Sequence, residues 1–253
     1  MSSAMWPLLA ALVLAQIGYP LSSDATRSGL VVVTVVLGYA LSVGHALLTR
    51  GPRTAGVLVA VTTGGGLAVE VAGVATGLPF GEYAYSGALG PRVAGVPLVI
   101  PLAWTWLAWP AWLAAVRLVA TPAARVVLAG VGLAAWDLFL DPQMVAAGYW
   151  TWEDPDPALP GVPQVPVGNY LGWLAVAIGM MALLAATAGR RAQSAASSDD
   201  APMYSLYLWT YASSVLAHAV FLDLPASAAW GAAAMGVVAV PLAVSLLRGR
   251  GRA

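Results

Sequence analysis

The sequence predicts an all-α fold: a polytopic membrane helix bundle of about eight transmembrane helices, with an internal repeat of helical hairpins. Three observations carry that prediction. Only 9% of the 253 residues are charged, whereas 60% are hydrophobic; a soluble domain is about 25% charged. The mean hydropathy is +0.81. The apolar residues gather into eight runs, most of them near the ~20 residues needed to cross ~30 Å of hydrocarbon. Residues 1–253 therefore read as a single integral-membrane domain, with a flexible cytoplasmic linker at about 189–202 that is rich in Ala, Ser and Asp.

The runs span about 5–20, 28–49, 54–76, 96–118, 122–142, 169–188, 203–223 and 226–247. The first is short and ends at Tyr19-Pro20. It lacks the positive start of a signal peptide and reads as a retained helix. The third contains Gly64-Gly65-Gly66, with no Lys-Ser/Thr after it to make a phosphate loop, so it suits close helix contact. The fourth holds Pro97, Pro101 and Pro110, which predict a kink whose freed carbonyls are satisfied by neighbours. The fifth carries Asp137 and Asp141, which share one helix face at that spacing. The sixth opens at Asn169, a residue type suited to an N-cap. The seventh contains His218 and ends at Asp223.

Arginine placement orients the bundle. Arg50, Arg53, Arg117, Arg125, Arg190, Arg191, Arg248, Arg250 and Arg252 fall on one side, and only Arg27 and Arg92 on the other. The positive-inside rule then places the protein in the cell membrane with both termini cytoplasmic. Loops 77–95 and 143–168 face outward.

Composition removes several function classes. The formal net charge is zero, so there is no electrostatic case for nucleic acid. Without cysteine there is no thiol catalysis or thiolate metal site, and two histidines make a multi-histidine metal site unfavourable. Every basic residue is arginine; the missing lysine excludes a retinal Schiff base. No metal and no cofactor are expected.

The two aromatic loops repeat one plan. Glu70 precedes Gly81-x-Tyr83-x-Tyr85 and Gly95-Val96-Pro97 as Asp137 precedes Gly148-x-Trp150-x-Trp152 and Gly161-Val162-Pro163. The two hairpins would pack about a pseudo-twofold axis, with Glu70 and Asp137 facing a shared interior. Counted along their helices at 1.5 Å per residue, Glu70, Asp137 and His218 rise roughly 24, 18 and 22 Å from the cytoplasmic side. Ionisable groups at such depth usually face a cavity or a partner. The candidate catalytic residues are therefore Glu70, Asp137, Asp141, Glu82, Asn169 and His218, against the plainer reading of buried acids tying helices together. His45 reads as structural. Tyr83, Tyr85, Trp104, Trp136, Trp150, Trp152 and Trp173 are the candidate substrate-binding residues, although interfacial anchoring also collects aromatics. An acid in an apolar cavity can serve as a general acid, and aromatic faces stabilise a cation. The combination suits protonation of an alkene in a lipid-soluble polyene or isoprenoid.

The motifs resemble the CruF-type carotenoid hydratase family of membrane proteins over about residues 60–225. The residues that carry the resemblance are Gly81-Glu-Tyr83-Ala-Tyr85, Leu89-Gly90-Pro91, Gly95-Val-Pro97, Pro101-Leu-Ala-Trp104, Trp136-Asp-Leu-Phe-Leu-Asp141-Pro-Gln-Met144, Gly148-Tyr-Trp-Thr-Trp152, Gly161-Val-Pro163 and Asn169-Tyr-Leu-Gly-Trp173. The resemblance implies a hydro-lyase that adds water to the terminal double bond of an acyclic carotenoid end of the lycopene, γ-carotene or bisanhydrobacterioruberin type. It implies a carotenoid substrate within the bilayer, contact with membrane lipid, and other carotenoid-pathway membrane enzymes as candidate partners. The small membrane lycopene cyclases share the Val-Pro pattern but place paired glutamates after it. Here Leu98, Val99, Ile100 and Pro101, and Gln164 and Val165, stand in those places.

Expected roles follow from the residues themselves. Asp137 or Glu70 protonates the alkene, and Trp136, Trp150 and Tyr83 stabilise the tertiary cation. Asp141, Asn169 or His218 positions the water. The alternatives are a cyclase-like enzyme or a non-catalytic carotenoid- or lipid-binding protein.

Overall fold

A computed structural model describes residues 4–194 and 197–250. Arg252 and positions 195–196 of the expected linker lie outside the described residues. In chain order the helices are α1 (Met5–Gly18), α2 (Asp24–Arg50), α3 (Pro52–Leu58), α4 (Gly65–Thr76), α5 (Val99–Leu118), α6 (Pro122–Ala134), α7 (Asp137–Ala146), α8 (Val167–Thr187), α9 (Ala201–Leu216) and α10 (Pro225–Arg250). A π-helical turn, Val59–Gly64, joins α3 to α4, and a second, Ala217–Phe221, extends α9.

Among the described residues, six helical spans are long and apolar enough to cross a membrane, where about eight transmembrane helices are expected. The other two have identifiable reasons. Helix α1 has only 14 residues, a rise of roughly 21 Å. The α9 rod carries Tyr204, Tyr207, Tyr211, three serines and His218, which dilute its hydropathy.

Helix α5 is the axis of the bundle. It is 89% buried, whereas the other five membrane-length spans are 28–50% buried. It is apolar all round, the pattern of a helix enclosed by other helices. Its indoles form a stair. Trp104 donates to Glu70, Trp109 to His45 Nδ1 and Trp112 to the Ala192 carbonyl.

Two prolines inside helices are answered by serines. Proline lacks an N–H, so it frees the carbonyl four residues earlier. Pro110 frees that of Trp106, which accepts from Ser42 Oγ at 2.7 Å. Pro142 frees that of Leu138, which accepts from Ser227 Oγ at 2.7 Å.

The segment expected as a flexible linker is pinned at both described ends. Ala192 and Asp200 are fully buried. Asp200 accepts two bonds of 2.8 Å from Arg50. Because Trp109 donates to its Nδ1, His45 uses Nε2–H to reach the Asp199 carbonyl at 3.0 Å. His45 is thus structural, as expected.

The loops between the hairpin helices add three short antiparallel ladders to the helical bundle. Strand β1 (Tyr83–Tyr85) pairs with β4 (Trp150–Trp152), β2 (Arg92–Val93) with β3 (Val96–Pro97), and β5 (Ala158–Leu159) with β6 (Val162–Pro166). Buried loop backbone needs partners; β1 and β4 supply them between the two loops, while β2–β3 and β5–β6 close locally.

Candidate active site

The β1–β4 ladder brings the two aromatic motifs face to face. Its register sets Tyr83 against Trp152 and Tyr85 against Trp150. Alternate residues of a strand share a face, so four aromatic rings cover the helix ends beneath. Tyr83 and Trp152 lie 5.8 Å apart by ring centroid, and Tyr85 and Trp150 5.6 Å.

Beneath that face sits Glu70, 2% exposed. Its Oε2 accepts from the hydroxyls of Tyr83 at 2.6 Å and Tyr85 at 2.7 Å, and its Oε1 from Trp104 Nε1 at 3.3 Å. Burial, with the Glu70 carboxyl close by, pushes both phenols well above the ordinary tyrosine value, so they remain donors. Two glycines on α4 make these contacts possible. A Cβ at Gly66 would stand 3.1 Å from the Trp104 ring, and one at Gly73 2.8 Å from the Tyr83 hydroxyl. Trp104 is locked in turn by stacking on Trp173, with centroids 3.7 Å apart and planes 7° from parallel.

The second cluster lies on α7. The rod breaks between Ala134 and Asp137, so Asp137 opens a new helix and Asp141 follows one turn later. Both carboxyls are buried. Asn169 Nδ2 donates to Asp137 Oδ2 at 3.2 Å and also to Asp141 Oδ2. Trp150 Nε1 donates to Asp141 Oδ1 at 3.2 Å. Asn169 is therefore no helix cap. Helix α8 begins two residues earlier, behind Pro166, which turns the amide of Asn169 inward.

A small chamber of about 30 Å³ is lined by Glu70, Asp141 and Asn169 with Phe80, Tyr83, Tyr85, Trp150, Trp152 and Trp173. Beside it lies a cavity of about 380 Å³ with walls from α1, α2, α5, α7 and α9. Ile100, Ala103, Leu140 and Trp150 line both. A space of 30 Å³ is enough for water, which needs about 10–15 Å³. The larger space is mostly apolar and lies in the size range of pockets for organic ligands.

The expected site residues thus separate. Glu70 and Asp141 share the chamber, whereas the sequence pairs Glu70 with Asp137, which stands behind Asp141 and Asn169. Trp136 lines the larger cavity, and Trp104 sits behind Trp173. His218 faces neither space; its Nδ1 meets the Ser214 carbonyl at 2.8 Å and its Nε2 the Phe139 carbonyl at 3.0 Å. Its depth along the helix matched the acids, but its direction does not. Glu82 is exposed, because alternation along β1 turns it away from Tyr83.

Sequence reasoning missed Phe80 and the shared wall of Ile100, Ala103 and Leu140. It also missed the polar pairs of the larger cavity, such as Trp209 Nε1 donating to Gln16 Oε1 at 2.7 Å. The Gly66-x3-Glu70-x2-Gly73 spacing was a usable signal, since glycines one turn either side of a buried acid leave room for its partners.

Fold and site together define a multi-pass membrane helix bundle enclosing a carboxyl and aromatic chamber. The chain belongs to the carotenoid biosynthesis protein family, whose model matches residues 30–241. It is also similar to a bisanhydrobacterioruberin hydratase of Haloarcula japonica, with 37% identity over 129 residues, covering 48% of this chain and 42% of that protein. The chain thus matches less than half the length of that curated relative. No solved structure matches.

Proposed function

We propose that this protein is a carotenoid hydratase that adds water to the terminal double bond of an acyclic carotenoid end. The observation that carries the reading is a water-sized chamber bearing two carboxyls, sharing a wall with a large apolar cavity. Family membership and the hydratase relative point the same way. Candidate substrates are lycopene, γ-carotene and bisanhydrobacterioruberin types, taken from the bilayer.

The polyene end occupies the larger cavity, with its last double bond against Trp150. Asp141, in its acid form, delivers a proton to the less substituted alkene carbon. Positive charge appears on the tertiary carbon, where Trp150 and Trp152 offer their ring faces and Glu70 offers negative potential. A chamber water, held by Asn169, forms the C–O bond and returns its extra proton to Asp141. The sum is alkene plus water to tertiary alcohol. The reaction is redox-neutral and asks for no cofactor, and general acid–base catalysis of this kind contributes typically 10²–10⁴-fold.

The test is expression in cells that make lycopene or an acyclic C50 carotenoid, read by pigment mass. A gain of one water per reacted end supports the reading; a ring formed without mass change makes the protein a cyclase. Glu70→Gln and Asp141→Asn are expected to abolish the gain. Variants that leave the pigments unchanged while the protein still binds carotenoid would establish a binding protein instead.

The arginine bias further supports cytoplasmic termini. A C-terminal reporter active only outside the cytoplasm should stay silent, and activity there would reverse the orientation. Other membrane enzymes of carotenoid synthesis are the fitting partners, since substrate and product both stay in lipid.

A further inference from the structure

The larger cavity holds about 380 Å³, near the low end of the ~300–1,000 Å³ that encloses a drug-sized ligand. On the hydratase reading the substrate is a stiff polyene, about as long as the ~30 Å hydrocarbon layer is thick. One tip fits inside, and the rest of the rod has to leave through a wall. Its way out has to be apolar, since apolar surface left in water costs about 25 cal/mol per Å².

The wall residues show where that way lies. Those that are exposed are Ile17, Leu21, Ala212, Leu216 and Phe221. All five are apolar, and the four large ones are 45–70% exposed. They come only from the end of α1 and the turn after it, and from α9 and its π turn. Wall residues from every other element are buried or half-buried. At this cleft Trp209 of α9 donates to Gln16 of α1 at 2.7 Å. Helix α1 then stops at Gly18, whereas α9 runs on through the π turn to Phe221. A π turn closes i→i+5, which brings residues five apart toward one face. Leu216 and Phe221 have that spacing, and both line the cavity.

We infer that the cleft between α1 and α9 is a lateral portal to the lipid, and that the polyene rod lies in it while one tip occupies the cavity. The rod passes between Ile17 and Leu21 on one side and Leu216 and Phe221 on the other. The inference takes the identity of the occupant from the hydratase reading. It makes these four side chains a binding site for the part of the substrate that does not react.

The chain has no cysteine, so one introduced thiol can be followed alone. Leu21→Cys and Phe221→Cys are each placed in phosphatidylcholine vesicles, and reaction with a maleimide is timed. The measurement is repeated with lycopene, and with an acyclic C50 carotenoid, in the bilayer. Leu171→Cys is the reference: it stands near the start of α8, is 62% exposed and lines neither space. One or both carotenoids are expected to slow labelling at positions 21 and 221 roughly tenfold, the factor for a ligand at about ten times its Kd. Labelling at position 171 should keep its rate. Each comparison is made within one variant, so it does not depend on how much protein folds. Unchanged rates at 21 and 221 with both carotenoids, or equal slowing at 171, overturn the portal. Protection at 21 and 221 in a protein whose wild type forms no alcohol leaves the portal standing and overturns the hydratase reading. Alcohol from the wild type without protection overturns the portal alone.

Discussion

Glu70 shows how much a single side chain depends on what its neighbours lack. Three donors converge on it because Gly66 and Gly73 have no Cβ to keep Trp104 and Tyr83 away. Gly73→Ala should therefore push the Tyr83 hydroxyl off the carboxylate. Alcohol formation should fall, though less than in Glu70→Gln, and adding Tyr83→Phe should cost nothing more, because the same contact is already lost. Steady-state product measured by mass in the three variants checks this. The acids themselves were legible in the sequence, since a carboxyl in the middle of an apolar run is costly and needs a reason. Their partners were legible only in part. Tyr83 and Tyr85 alternate on a strand and could be paired with Glu70 by motif. The repeat pairs Glu70 with Asp137, whereas the chamber sets Asp141 beside Glu70; the helix breaks at Trp136, and no periodicity marks that break.

At the scale of the element, the two helices that pass beside the site are each interrupted by proline and repaired by a serine from another helix. Ser42 on α2 closes the gap made by Pro110 in α5, and Ser227 on α10 closes that made by Pro142 in α7. Removing either hydroxyl leaves a buried carbonyl unsatisfied, so Ser42→Ala and Ser227→Ala should each destabilise by about 1–3 kcal/mol. Thermal unfolding in detergent measures this. In a Pro110→Ala background the helix regains its own N–H donor at that carbonyl, and Ser42→Ala should then cost much less. The prolines were visible in the sequence; which serines answer them was not, because the pairs lie 64 and 89 residues apart. His218 lines neither space for a related reason. Helical rise gives its depth, but the π turn at Ala217–Phe221 changes the azimuth, and that turn has no sequence signature.

For the whole molecule, hydropathy was sufficient to find the membrane bundle, because runs of apolar residues have few other uses. It could not show that α5 is the buried axis, since a helix facing lipid and one facing other helices are equally apolar. Nor could it separate the water-sized chamber from the apolar cavity, whose walls come from five helices distant in sequence. That division has a kinetic consequence. On the proposed hydratase reading the chamber takes one tip of an acyclic carotenoid at a time, while the molecule has two. A molecule altered at one tip must leave and turn end for end before the other can enter. Time courses with a symmetric polyene should show the singly altered pigment rising first and then declining as the doubly altered one appears, with the intermediate free in the lipid and open to capture by any competing enzyme.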